Sequence, residues 1–94
     1  MNEWKVLIYK DVKKKDLPKL KQTNLLDQYE EIIGILKKNP FENVRRFEKL
    51  NPRNKHIYSM RINGTHRVVY TVDKENKVVK IWSAWTHYEN NRNI

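Results

Sequence analysis

The chain reads as a small α+β domain, an antiparallel sheet with a three-strand C-terminal meander packed against two N-terminal helices. Three observations predict it. A short apolar run, Trp4-Lys5-Val6-Leu7-Ile8-Tyr9, lies near the start. A stripe of apolar residues at spacings of three and four fills the next third. Strand-like runs separated by polar turn signals occupy the remainder. At 94 residues the chain makes one domain, residues 1–94. Its core is thin enough that a partner or a dimer interface could supply part of its stability.

Strand formers dominate Trp4 to Tyr9, so a buried first strand is expected. A helix should follow over Lys10 to Lys21, where Val12, Leu17 and Leu20 stand among many lysines. Pro18 lacks a backbone donor and should end or kink that helix near Asp16. The second helix is better defined. Asn24 can cap it, Leu25, Leu26, Tyr29, Ile32, Ile33 and Leu36 form one broad stripe, and Asn39-Pro40 stops it. Phe41 should then plug the core.

From Val44 to Leu50 the chain should be extended, with Val44, Arg46, Glu48 and Leu50 on one side and Arg45, Phe47 and Lys49 on the other. Asn51-Pro52-Arg53-Asn54 reads as a turn and Ile57 to Ile62 as a strand. Asn63-Gly64 predicts a hairpin with a primed turn, because both residues tolerate positive backbone angles. Its partner strand is His66 to Val72. Asp73 to Asn76 is a second polar turn, and Val78 to Thr86 the last strand. The helices should cover one sheet face and leave the other for function. The last strand is apolar on both sides, so periodicity does not say which side His87 takes.

Lys and Arg number 20 against 11 acids, a formal charge of +9 and a pI near 9.9. The excess favours a polyanionic partner, although a basic surface also serves solubility. Five Tyr, three Trp and two Phe supply faces on which unpaired bases can stack. The absence of Cys excludes disulfides, thiolate metal sites and a thiol nucleophile, and fits cytoplasmic residence. No apolar run is long enough for a signal peptide or a membrane span. No carboxylate cluster or His pair stands at ligand spacing, so neither a metal nor a cofactor is expected.

The run from Tyr58 to Tyr70, followed by Trp85-Thr86-His87-Tyr88-Glu89, places the guanidinium of Arg67 and the imidazole of His87 on neighbouring strands, with Glu48 upstream. A base, a phosphate clamp and an acid together suffice for metal-free cleavage of RNA. Each residue also has an ordinary structural reading. Glu48 in a basic segment suits a surface ion pair, Arg67 a cross-strand charge, and His87 a strand end. His56, at a turn end, and His66, which alternates to the face opposite Arg67, are given no catalytic role. Lys13-Lys14-Lys15 reads as a solvated helix face. Arg45, Arg46, Lys49 and Arg61 flank the candidate groups and are the substrate-binding candidates.

Asn39-Pro40-Phe41, Phe47-Glu48-Lys49-Leu50, Tyr58-Ser59-Met60-Arg61-Ile62, His66-Arg67-Val68-Val69-Tyr70 and Trp85-Thr86-His87-Tyr88-Glu89 resemble, in order and approximate spacing, the YoeB/Txe toxins of the RelE/ParE-like superfamily. The resemblance runs from about Trp4 to Glu89. It implies a RelE-like fold and a toxin of a type II toxin–antitoxin module. Such a toxin is a ribosome-dependent endoribonuclease, an mRNA interferase that cuts messenger RNA in the A site and stops translation. The resemblance further implies Glu48 as general base, Arg67 as transition-state clamp, His87 as general acid and Tyr88 as their support. The partners it implies are a small acidic antitoxin of the YefM/Axe kind, the ribosome and its mRNA, operator DNA reached through the toxin–antitoxin complex, and a second toxin copy. Two departures stand out. Met60 stands where many relatives have an arginine, which would weaken a contact to RNA or ribosome, and six residues follow Tyr88, which bears on any role for a terminal carboxylate. The rival reading is a ParE-like toxin of the same fold that is not a nuclease, or a nucleic-acid-binding module without turnover. The Glu48, Arg67 and His87 set argues against both.

Overall fold

A computed structural model describes residues 3–85, and within them the α+β class holds. Strand β1 (Lys5–Ile8) leads into a helical segment that starts with a π turn at Val12–Asp16 and continues as α1 (Leu17–Gln22). Helix α2 (Leu26–Lys38) follows, then β2 (Glu48–Lys49), β3 (Ile57–Arg61), β4 (Arg67–Asp73) and β5 (Val78–Ser83). The strands form one sheet in the order β1-β5-β4-β3-β2. Strands β2 to β5 are antiparallel neighbours, whereas β1 runs parallel to β5, with Lys5 opposite Val78 and Ile8 opposite Ile81. The sheet is therefore mixed. Both helices lie in the connection that carries the chain from the β1 edge to the β2 edge, and the meander then returns strand by strand.

The apolar stripe of α2 does what its spacing predicts. Tyr29, Ile32 and Leu36, with Val12 and Leu20 from the preceding segment, pack against Tyr58, Met60, Val68, Tyr70, Val79 and Ile81. Full burial of each such side chain is worth about 1.5–3 kcal/mol. Tyr70 is fully buried and its hydroxyl donates to the Pro40 carbonyl at 2.7 Å, fastening the exit of α2 to the sheet. Phe41 closes the rim of this core, edge-on to both Trp4 and Tyr58. Met60 is fully buried here, so in this chain position 60 serves packing and takes no part in an RNA-facing surface.

Several local expectations change. Pro18 interrupts the helical segment near Asp16, as expected, but does not stop it: the π turn closes at Asp16 and α1 starts at Leu17, with Pro18 in its first turn. Asn24 does not cap α2. It turns left-handed at φ 61°, Leu25 takes the cap position, and no side chain caps the helix there. The extended stretch expected over Val44 to Leu50 shrinks to Glu48–Lys49, since Arg45 and Arg46 have φ of 51° and 54°.

The hairpin between β3 and β4 forms without a primed turn: neither Asn63 nor Gly64 has positive φ. Instead Asn63 Oδ1 accepts the N–H groups of Thr65 and His66 at 2.8 and 2.7 Å, so a side chain organises the loop. Asp73 does the same for Glu75 and Asn76 in the second turn. In β5 the register jumps, with Tyr70 opposite Ile81 and Val69 opposite Ser83. Trp82 is the extra residue of this bulge, and its indole donates to Thr71 Oγ1 at 2.9 Å.

Asp16, at the end of the π turn, accepts the backbone N–H of buried Ala84 at 3.0 Å. Burial raises its pKa, with the Ala84 bond and Lys19 acting in the opposite direction. A raised folded-state pKa means that the native state holds the proton more readily, so the associated stability is present at low pH and lost as pH rises through that pKa. Asparagine keeps the acceptor without the charge. The stability of Asp16→Asn relative to wild type should therefore grow in urea melts as pH rises from the ordinary carboxylate range through the raised folded-state value. Asp16→Ala, which strands the Ala84 N–H, should cost about 1–3 kcal/mol. A difference between the Asn variant and wild type that is flat with pH would contradict this.

Candidate active site on the open face of the sheet

Alternation along β3 decides which residues face away from the helices. With Tyr58 and Met60 in the helix-covered core, Ser59 and Arg61 point to the other face. Glu48 pairs with Ser59, Ser59 with Val69, and Arg61 with Arg67. Glu48, Ser59, Arg61, Arg67 and Val69 thus share the open face. Its floor is a small cluster of Leu50, Ile57 and Val69. Lys80 and Trp82 continue the face on β5, with the Lys80 ammonium 4.4 Å from the Trp82 ring centroid and Tyr9 beside that indole at 5.2 Å.

Ser59 is small and buried between β2 and β4, and Arg67 Nη1 reaches to 3.7 Å from Glu48 Oε1. That separation is an ion pair without a direct hydrogen bond. The two partners differ in environment: the Arg67 side chain is 14% exposed and that of Glu48 60%. Arg67 Nε is buried and has no hydrogen-bond partner among the described residues. Leaving such a donor unsatisfied costs about 1–3 kcal/mol, so the site favours an incoming acceptor. An embedded guanidinium with an uncommitted donor beside an accessible carboxylate suits an anion that also needs a base.

The other candidates divide. Arg45, Arg46, Arg61, Ile62, Asn63 and Gly64 line a groove of about 520 Å³ at the β3–β4 end of the sheet. Arg45 is partly committed to structure: its guanidinium donates to the Arg61 carbonyl at 3.1 Å and pairs with Glu31 of α2. Arg61 donates to the Gly64 carbonyl at 3.0 Å, and Arg46 is exposed. Lys49 lies opposite Tyr58, its ammonium 5.8 Å from that ring centroid, so it belongs to the face away from Glu48. His87 and Tyr88 lie outside the described residues. Among the described residues no group of three or more His, Cys, Asp or Glu could hold a metal ion, and no helix is long and apolar enough to cross a membrane.

His66 is more engaged than alternation implied. Its ring stacks on Trp85 with centroids 4.0 Å apart and planes 17° apart, and its Nδ1 meets the Trp85 carbonyl oxygen. It still takes the side away from Arg67 that alternation expects, since Trp85 packs against the helix-side core and Lys19 of α1 lies over the Trp85 ring. The only signal in the chain was the pairing of one imidazole with one indole across the meander, which becomes visible once the register is known.

The profile of the YoeB-like toxins of bacterial type II toxin–antitoxin systems matches residues 9–88. Among solved structures, a YoeB–YefM complex from Staphylococcus aureus is 30% identical, covering 90% of this chain and 98% of that one with a TM-score of 0.72. A YoeB dimer from the same organism is 28% identical, covering 92% and 99% with a TM-score of 0.75. An archaeal RelE–RelB complex from Pyrococcus horikoshii OT3 is 25% identical, covering 89% and 94% with a TM-score of 0.67. No curated protein matches the sequence. The family match begins just after β1 and takes in both helices, β2 to β5 and the Glu48–Arg67 face, and the chain belongs to the YoeB-like toxins of bacterial type II toxin–antitoxin systems.

Proposed function

We propose that this toxin is a ribosome-dependent endoribonuclease that cuts messenger RNA in the A site by metal-independent acid–base chemistry. The observation that carries the reading is the Glu48–Arg67 pair on the open face, with a buried Arg67 donor left for a phosphate. Glu48 takes the proton of a 2′-hydroxyl, and the freed oxygen attacks the adjacent phosphorus. Arg67 holds the non-bridging oxygens as negative charge builds on them. The bond from phosphorus to the 5′-oxygen breaks, and His87 protonates that oxygen, with Tyr88 supporting the acid. The products are a 2′,3′-cyclic phosphate and a 5′-hydroxyl. Arg46 and Arg61 in the basic groove hold the RNA backbone, while Arg45 chiefly fixes the groove wall.

The same reading places the toxin in the cytoplasm and gives it a cognate acidic antitoxin, by analogy with the YoeB–YefM complex of Staphylococcus aureus. Its net charge of +9 suits such a partner, and contact with operator DNA would come through the joint complex. A second toxin copy is the homodimer counterpart of the Staphylococcus aureus YoeB dimer.

The test is cleavage of mRNA on programmed ribosomes whose integrity is kept by polyamines or cross-linking while divalent ions are chelated. Cleavage should persist and leave cyclic-phosphate ends. Cleavage that returns only on adding a metal to an otherwise intact complex would defeat the mechanism. Tight ribosome binding with no cutting would favour a binding module instead.

A further inference from the structure

Resting on the nuclease reading above, we propose that His66 is a positioning residue: it donates Nδ1–H to the Trp85 carbonyl, stacks on the Trp85 ring, and so sets where the chain departs toward His87.

The anchor itself is firm. His66 N–H donates to Asn63 Oδ1 at 2.7 Å, and its carbonyl accepts from the backbone of Ile62 at 2.9 Å and of Asn63 at 3.3 Å. The β4–β5 ladder ends at Val69–Ser83, so Ala84 and Trp85 need other restraints. Side chains from two elements supply them. Asp16 accepts from Ala84 N–H, Lys19 places its ammonium 5.9 Å from the Trp85 ring centroid, and His66 takes both the ring and the carbonyl of Trp85.

The tautomer follows from the partner. A carbonyl oxygen only accepts, so the nitrogen facing it carries the proton, and a neutral ring then leaves Nε2 as the acceptor. Function follows from position in the chain. His87 stands two residues after Trp85, and His66 directly precedes Arg67. The loop that leads into the clamp thus also holds Trp85, two residues ahead of the acid. A displacement of about 1 Å in a reacting group can cost roughly a hundredfold in rate.

Three variants of the full chain separate the two contacts. His66→Phe keeps the stack and loses the donor, His66→Asn keeps a side-chain N–H near the place of Nδ1 and loses the stack, and His66→Ala loses both. In single-turnover cleavage on ribosomes, Phe and Ala should lose on the order of tenfold to a hundredfold in rate with affinity within about twofold, and Asn should recover part of the loss. Nitrogen-15 NMR of the free wild-type chain should show the Nδ1–H tautomer for His66, and His66→Phe should move the amide signals of residues 86–88 while leaving those of Ile32 and Tyr70 in place. An Nε2–H tautomer, wild-type turnover in His66→Phe, or a loss carried wholly by affinity would overturn the proposal. Absence of cleavage by the wild type would instead refute the nuclease reading, and the tautomer and amide shifts would still decide the role of His66.

Discussion

Arg67→Lys should lower the single-turnover rate of mRNA cleavage by about a hundredfold or more, although the charge is conserved. Arg67 is held by its register opposite Arg61 and by partial burial, so its planar fork is oriented before RNA arrives. A guanidinium can offer parallel donors to two phosphate oxygens, whereas an ammonium is a point charge on a flexible stem. Nε, buried and unpartnered among the described residues, is the donor that lysine cannot replace. Ribosome affinity should change much less than the rate, because the lost interaction strengthens as charge develops on the phosphorane. Near-normal turnover in a variant with wild-type circular dichroism and melting would reject the clamp role.

Glu48→Gln should remove roughly two to four orders of magnitude in rate, the usual worth of a positioned general base. The side chain is 60% exposed and its contact with Arg67 is 3.7 Å long, so the fold should scarcely notice the change. Exposed ion pairs contribute about 0–1 kcal/mol. Glutamine is nearly the same shape, cannot take the proton, and removes a negative charge from the path of the phosphate. RNA binding should therefore persist or tighten while chemistry fails. A single-turnover rate close to wild type at saturating ribosomes would move the base elsewhere.

Much of this architecture is legible along the chain because its causes are local. The stripe from Leu25 to Leu36 has the period of one helix face, and Tyr29, Ile32 and Leu36 of it are buried. Asn39-Pro40 ends that helix as the dihedral preference before proline requires. The turns misled where a side chain could substitute for a backbone angle. Asn63 organises its loop through Oδ1, so Gly64 never needs positive φ. Arg45 and Arg46 carry no turn signal in their residue type, yet both are left-handed, which cuts the expected strand to Glu48–Lys49. Arg45 is tied there by its carbonyl accepting Arg61 N–H at 2.7 Å and by its guanidinium on β3 and α2, contacts that arise from distant residues.

Residue type and spacing alone carry the class of the domain, its surest helix, the meander, the basic excess and, through motifs in order, the toxin family. Which of the marked residues meet is set by the fold. Glu48 and Arg67 come together because β2 pairs with β3 in a register that sets Glu48 against Ser59, and β3 with β4 in one that sets Arg61 against Arg67. A shift of one residue in either pairing would turn one of them to the other face. The same registers send Lys49 toward Tyr58 and Met60 into the core. Pairing register and packing depend on contacts between residues far apart in the chain, and local patterning carries little of that information.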